Sequence, residues 1–123
     1  DPSYETFNDW VKAADTLASV HKKWPPGILV LWYPVVGRKL EECNAMKHKL
    51  ASSEIPGILD AELLVAEVRS GPEGFGLSGS GMIIVNPPWT LHDEIAEFLP
   101  WLASVVGENG AGRWKLEWLS EPS

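Results

Sequence analysis

The chain has 123 residues, is 45% hydrophobic, and carries ten Lys or Arg against seventeen Asp or Glu, a net charge of −7. That length supports one compact core and is too short for two ordinary domains, while the negative balance argues against indiscriminate phosphate binding, which is carried by Lys and Arg. The single cysteine, Cys43, excludes an internal disulfide and a cysteine-cluster metal site and fits a reducing cytoplasm.

From Asn8 to Lys23, apolar residues at Trp10, Val11, Ala14, Leu17, Ala18 and Val20 recur every three or four positions, which predicts a helix burying one face. Trp24-Pro25-Pro26-Gly27 ends it. The continuous apolar run Ile28 to Tyr33, bounded by Gly27 and Pro34, predicts a strand buried on both faces. Lys39 to Ala51 is again helical in pattern, with Leu40, Cys43, Met46 and Leu50 in register. Glu62 to Val68 and Gly81 to Val85 are two further strands, separated by turn-rich Ser70 to Ser80. Leu91 to Val106 reads as a helix capped by Thr90, with Ile95, Phe98, Leu99 and Leu102 inward and a kink at Pro100. Trp114 to Leu119 alternates like a closing edge strand. Alternating strands and helices of this kind predict the second half of an open, mostly parallel α/β sheet with an antiparallel strand. No apolar run approaches the roughly 20 residues a membrane-spanning helix needs, so no membrane partner is expected.

Two tetrapeptides carry recognisable chemistry, Asp1-Pro2-Ser3-Tyr4 and Asn86-Pro87-Pro88-Trp89. Each joins an acid or amide to proline and then to an aromatic ring, the form used by amino-group methyltransferases. The lone pair of an aromatic amine is delocalised into its ring and is a poor nucleophile. A side-chain oxygen and a backbone carbonyl held beside the amine can accept its two hydrogens and turn the lone pair toward a methyl donor. Proline stiffens such a turn, and the adjacent ring can stack on an extruded base. Taken alone, a strand-ending turn accounts for either copy.

Position separates the two. Ligands of open α/β sheets bind beyond the carboxyl ends of strands, with donor-binding units before the catalytic turn and more sheet after it. Only 37 residues follow Asn86, and the glycines at 71–81 lie between two strands rather than between a strand and a helix. Asp1 is followed by the elements that would complete such a sheet, so Asp1 is the expected catalytic acid and Asn86 a structural residue. The chain opens on this motif with neither Met nor a leader pattern, and is read as part of a longer protein.

The motifs Asp1-Pro2-Ser3-Tyr4-Glu5, Leu31-Trp32-Tyr33-Pro34-Val35, Ser78-Gly79-Ser80-Gly81-Met82, Asn86-Pro87-Pro88-Trp89 and Leu99-Pro100-Trp101, in this order and spacing, resemble the RlmJ family. These are bacterial 23S ribosomal RNA adenine-N6 methyltransferases, also described as proteins of external DNA utilisation. The resemblance implies that residues 1–123 are the C-terminal part of a single catalytic domain with a Rossmann-like class I sheet dependent on S-adenosylmethionine. It assigns Asp1 as the catalytic acid, also beside the donor, Pro2 as the second acceptor through its carbonyl, and Tyr4 as the ring that stacks on adenine. Ser3 stands where the family's motif has a second proline, which costs rigidity but leaves carboxylate, carbonyl and ring in place. The donor loop and its acidic ribose ligand have no counterpart here and are expected upstream of Asp1. A monomer acting on 23S ribosomal RNA in the cytoplasm is implied.

His21, His48 and His92 show no ligand spacing with Cys or acidic partners, so no metal is expected. Trp10, Trp32 and Trp101 read as core, whereas Trp24 and Trp89, beside prolines, are candidates for exposed rings. Tyr33 and Pro34, ending the central strand, are secondary candidates for the base pocket. Residues 1–60 are net −1 and residues 61–123 net −6, so any polyanion contact should favour Lys22-Lys23, Arg38-Lys39 and Lys47-His48-Lys49, although solvated helix ends explain these pairs as well. Two other classes compete with the enzyme: a nucleic-acid-handling protein of DNA utilisation, and a plain interaction module.

Overall fold

The computed structural model describes residues 4–68 and 76–123. Helix α1 spans Phe7–Lys23 and opens on a reciprocal cap, in which Thr6 Oγ1 accepts from the Asp9 amide at 3.2 Å and Asp9 Oδ2 accepts from the Thr6 amide at 3.0 Å. His21, Lys22 and Lys23 in its last turn complement the negative end of the helix dipole. Its buried stripe is Trp10, Ala13, Ala14 and Leu17. Strand β1 (Leu29–Val36) follows, and a short 3₁₀ turn at Gly37–Lys39 leads into helix α2 (Leu40–Ala51), which buries Cys43, Met46, Lys47 and Leu50. Strands β2 (Ile58–Leu64) and β3 (Leu77–Val85) precede helix α3 (Leu91–Val106), and β4 (Arg113–Ser120) closes the chain's sheet.

The strand order is β1-β3-β2-β4, and every neighbouring pair runs antiparallel. This corrects the mostly parallel, Rossmann-like sheet expected from the alternation of strands and helices. Crossover helices do bring the chain back in the same sense: β1 and β2 are both antiparallel to β3, and β3 and β4 are both antiparallel to β2. Each crossover, however, skips one position, and the skipped slot is filled by an antiparallel strand. Consecutive β2 and β3 pair directly with each other. The alternation therefore identified the connections and misjudged which strands become neighbours.

α1 and α2 pack on each other and cover one face of the sheet, where Tyr33, Val35, Ile58, Ile83 and Val85 join Trp10, Met46 and Leu50 in the core. α3 packs on β2 and β4 and buries Leu99 and Ala103. The helices α1 and α2 cover one face of β1 while α3 packs on β2 and β4, so β1 alternates in burial instead of being covered on both sides: Val30 is 57% exposed and Trp32 45%. Trp32, Phe98 and Trp101 are accordingly exposed rather than core, while Trp10 is fully buried and Trp24 and Trp89 are exposed.

Candidate active site

Asp1, Pro2 and Ser3 lie outside the described residues, as do 69–75 of the glycine-rich segment, so the geometry of the first tetrapeptide begins at Tyr4. Tyr4 is 4% exposed and belongs to the core. Its hydroxyl donates to the Trp32 carbonyl on β1 at 2.5 Å, and its own carbonyl accepts from the Trp10 indole Nε1 at 3.2 Å. The ring lies 4.5 Å from that of Trp10, tilted by 54°, and meets Trp32 edge-on at 6.1 Å. Burial pushes the phenol up to about 12, with the nearby Cys43 adding to the shift. Its φ of 57° is left-handed, a conformation a tyrosine holds only when neighbours impose it. In this arrangement the ring offers no free face to a base.

The second tetrapeptide is used differently. Asn86, also left-handed at φ 56°, donates its backbone amide to the Gly57 carbonyl at 2.8 Å and its side-chain Nδ2 to the Pro26 carbonyl at 2.9 Å. It thereby ties the end of β3 to the loops before β1 and β2. Tyr4 reaches the middle of β1, whereas Asn86 follows Val85, the partner of Leu29 at the start of β1. Trp89 is 93% exposed and, with Pro56, Pro87, Pro88 and Trp118, borders a shallow cleft of about 260 Å³.

The sequence reading missed a buried ionic cluster. Tyr33 is fully buried, not pocket-lining, and its hydroxyl lies 2.5 Å from Asp60 Oδ1 and 2.7 Å from Glu62 Oε2. Lys47 Nζ bonds to Glu62 and sits 2.9 Å from Asp60 Oδ2, a close ion pair without well-aligned hydrogen-bond geometry at that oxygen. The ammonium also lies 4.9 Å from the Tyr33 ring centroid. Burial raises Asp60 above the ordinary carboxylate value despite Lys47, whereas hydrogen bonds from Lys47 and Tyr33 outweigh burial at Glu62 and lower it. Burial alone would depress Lys47, but the two carboxylates reverse it and its pKa is raised. Burial, reinforced by both carboxylates, holds Tyr33 firmly protonated. Gly81 is the partner of Tyr33 on the neighbouring strand, and a Cβ there would collide with the Tyr33 ring. Among the described residues, no group of three or more His, Cys, Asp or Glu is placed to hold a metal ion, and no helix is long and apolar enough to cross a membrane.

Comparison with known proteins decides the lineage. The family model described as "Ribosomal RNA large subunit methyltransferase D, RlmJ" matches residues 1–120. The chain belongs to the RlmJ family. Ribosomal RNA large subunit methyltransferase J of Haemophilus influenzae is 33% identical over 120 residues, covering 98% of this chain and 41% of that protein. The protein of the same description from Escherichia coli K12 is 36% identical over 119 residues, covering 97% and 41% respectively. The chain thus spans about two-fifths of the length of these RlmJ relatives. The crystal structure of protein LPL1258 from Legionella pneumophila superimposes with a TM-score of 0.78 at 24% identity, over 96% of this chain and 41% of that one, and supports the fold.

Proposed function

We propose that this RlmJ-family chain forms the catalytic-acid portion of a methyltransferase that modifies the exocyclic amine of adenine in 23S ribosomal RNA. The observation that carries the reading is the family match across residues 1–120, which includes Asp1-Pro2-Ser3-Tyr4. S-adenosylmethionine, the methyl donor implied by the family, supplies an electrophilic methyl group. The described residues do not fit its cradle, because no glycine-rich turn among them leads from a strand into a helix; Gly79 and Gly81 lie inside β3. The donor is accordingly assigned to the part of the relatives that this chain does not span. The role left to this chain is to orient the amine: the Asp1 carboxylate and the Pro2 carbonyl accept its two hydrogens, so that the nitrogen lone pair is directed away from them.

The test is transfer of a labelled methyl group to 23S ribosomal RNA by the full-length protein that carries this sequence, followed by nucleoside analysis. Label recovered as N6-methyladenosine, dependent on Asp1, supports the proposal. Label on another atom, or on DNA in preference to 23S RNA, refutes it.

A further inference from the structure

Three basic groups stand out in the sequence as polyanion contacts, and the sheet sorts them by position. β1 and β2 share a direction, since both are antiparallel to β3, and β4 returns against β2. Val36 pairs with Leu77, and Leu64 pairs with both Gly79 and Arg113, so the end of β1, the end of β2 and the start of β4 lie at one end of the sheet. Arg38 and Lys39 follow Val36 in the 3₁₀ turn, and Lys39 Nζ reaches the Glu5 carbonyl at 2.7 Å, so the start of α1 sits at this end too. Lys22 and Lys23 lie at the other end, in the last turn of α1 ahead of β1, where Glu54 and Glu121 border the start of β2. Lys47 is buried against Asp60 and Glu62, and Lys49 is paired with Asp15 at 2.6 Å.

Residues 61–123 hold only three Lys or Arg, and the two that the structure describes, Arg113 and Lys115, stand two residues apart on β4 at the same end as Arg38 and Lys39. In the order β1-β3-β2-β4 the two groups are separated by three strand spacings, about 14 Å. Arg113 is a fixed cation with donors to spare. Its Nη1 donates to the Gly110 carbonyl at 3.2 Å and to the Gly112 carbonyl at 2.8 Å, which holds the guanidinium without neutralising it. Among the described residues, Nε and Nη2 have no acceptor and no carboxylate pairs with the group. Arg113 lines an open cleft of about 480 Å³ beyond the end of β2, with Leu64, Val68, Asn109 and Gly110. Lys115 pairs with Glu117 at 3.3 Å, but with the side chains 53% and 44% exposed that pair is weak and readily exchanged. Glu67 on the cleft wall, and Glu108, whose amide bonds to the Val65 carbonyl, confine the positive surface to a narrow strip.

We propose that Arg113, assisted by Lys115, binds the phosphate backbone of the RNA substrate at this end of the sheet. The site rests on the reading of RNA as the substrate and deepens it by naming where the acid-rich half of the chain meets a polyanion. A guanidinium always carries its charge, and its planar fork matches two phosphate oxygens at once. The carbonyls of Gly110 and Gly112 fix that fork before the RNA arrives, and the donors they leave over are the ones a phosphate takes.

The experiment follows binding of a fluorescent fragment of 23S RNA to the full-length protein by anisotropy across a salt series, beside single-turnover methylation. The proteins are the parent, Arg113→Gln, Lys115→Gln, the double variant and Lys12→Gln. Loss of one phosphate contact lowers the slope of log K against log salt by about 0.7, and that slope carried over the decade from 1 M weakens binding about fivefold at 0.1 M salt. Arg113→Gln should show that loss, and the double variant should lower the slope by up to about 1.4. The rate at saturating RNA should stay within about twofold of the parent, because a backbone contact serves ground state and transition state alike. Lys12→Gln makes the same charge change on an exposed position of α1 and should bind like the parent. Parental affinity and slope in Arg113→Gln and the double variant overturn the site. Equal weakening by Lys12→Gln also overturns it, since that marks a general effect of charge. Should Arg113→Gln fail to fold, Lys115→Gln at its half-exposed position decides the matter on the same slope criterion. Methylation separates the two levels. A parent that leaves 23S RNA unmethylated defeats the functional reading while the salt series still decides the phosphate site, and a methylating parent with a parental double variant defeats the site alone.

Discussion

Lys47→Met removes the one ammonium from a cluster whose other members are two carboxylates and a phenol. Lys47 is 8% exposed and Asp60 is fully buried, so water cannot replace the lost charge. Tyr33 has a single proton to share between Asp60 Oδ1 and Glu62 Oε2, leaving two like charges inside the core. Breaking a buried pair by removing one partner costs about 3–5 kcal/mol. Glu62 keeps some solvent contact through a side chain 12% exposed, which places the expectation near the lower bound, about 3 kcal/mol at neutral pH. For a domain of this size that is a fall in Tm of roughly 12 °C. The pH dependence has a definite sign. In the parent, the depressed pKa of Glu62 gives stability that is present above its unfolded value of 4.5 and lost as pH falls through the folded value. In the variant, unpaired buried carboxylates have raised folded pKa values, so acid stabilises them. The gap between the two proteins should therefore narrow on acidification toward pH 4. Urea unfolding followed by tryptophan fluorescence at pH 7 and pH 4.5 measures it. A variant within about 1 kcal/mol of the parent at pH 7, or a gap that widens in acid, would refute the reasoning.

Tyr33 and Lys47 both have raised folded pKa values, so the parent should lose stability as pH climbs beyond the unfolded values of 10.0 and 10.5, by up to about 1.4 kcal/mol per pH unit for each group. Tyr33→Phe should flatten part of that alkaline slope, which a series of unfolding curves from pH 9 to 11 resolves. Asn86→Ala removes the bond to the Pro26 carbonyl and a residue suited to left-handed φ, so stability should fall by about 1–2 kcal/mol while turnover per folded molecule stays within a few-fold of the parent. Loss of turnover at an unchanged melting temperature would instead place Asn86 in the catalytic machinery.

The helices were legible because their signals are local. Spacings of three and four residues mark the buried stripe of α1, and Lys39 to Ala51 and Leu91 to Val106 fall within a residue of α2 and α3. Strand β2 was placed at Glu62 to Val68, four residues late, because Asp60 and Glu62 interrupt an apolar alternation. Those acids point into the core, where Lys47 and Tyr33 neutralise or bond them, and that compensation is spread over three elements no local pattern connects. β3 begins at Leu77, with Gly79 against the β2 backbone and Gly81 against Tyr33; in sequence the strand starts only at Gly81, because Gly79 falls in the segment read as a turn. The neighbour order of the sheet is a long-range property, and a helix between two strands fixes their shared direction without making them adjacent. The chemistry expected of the tetrapeptide rests on residue types alone, whereas the burial of Tyr4 depends on Trp10 in the first turn of α1 and on β1 offering the Trp32 carbonyl.

The most direct test of the catalytic reading is single-turnover methylation of 23S RNA by Asp1→Ala in the full-length protein. Removing one pre-organised acceptor is expected to cost about 2.7–4 kcal/mol in the chemical step, a rate about a hundred- to a thousandfold below the parent, with donor affinity nearly unchanged. A rate within a few-fold of the parent would contradict the assignment of Asp1 as the catalytic acid.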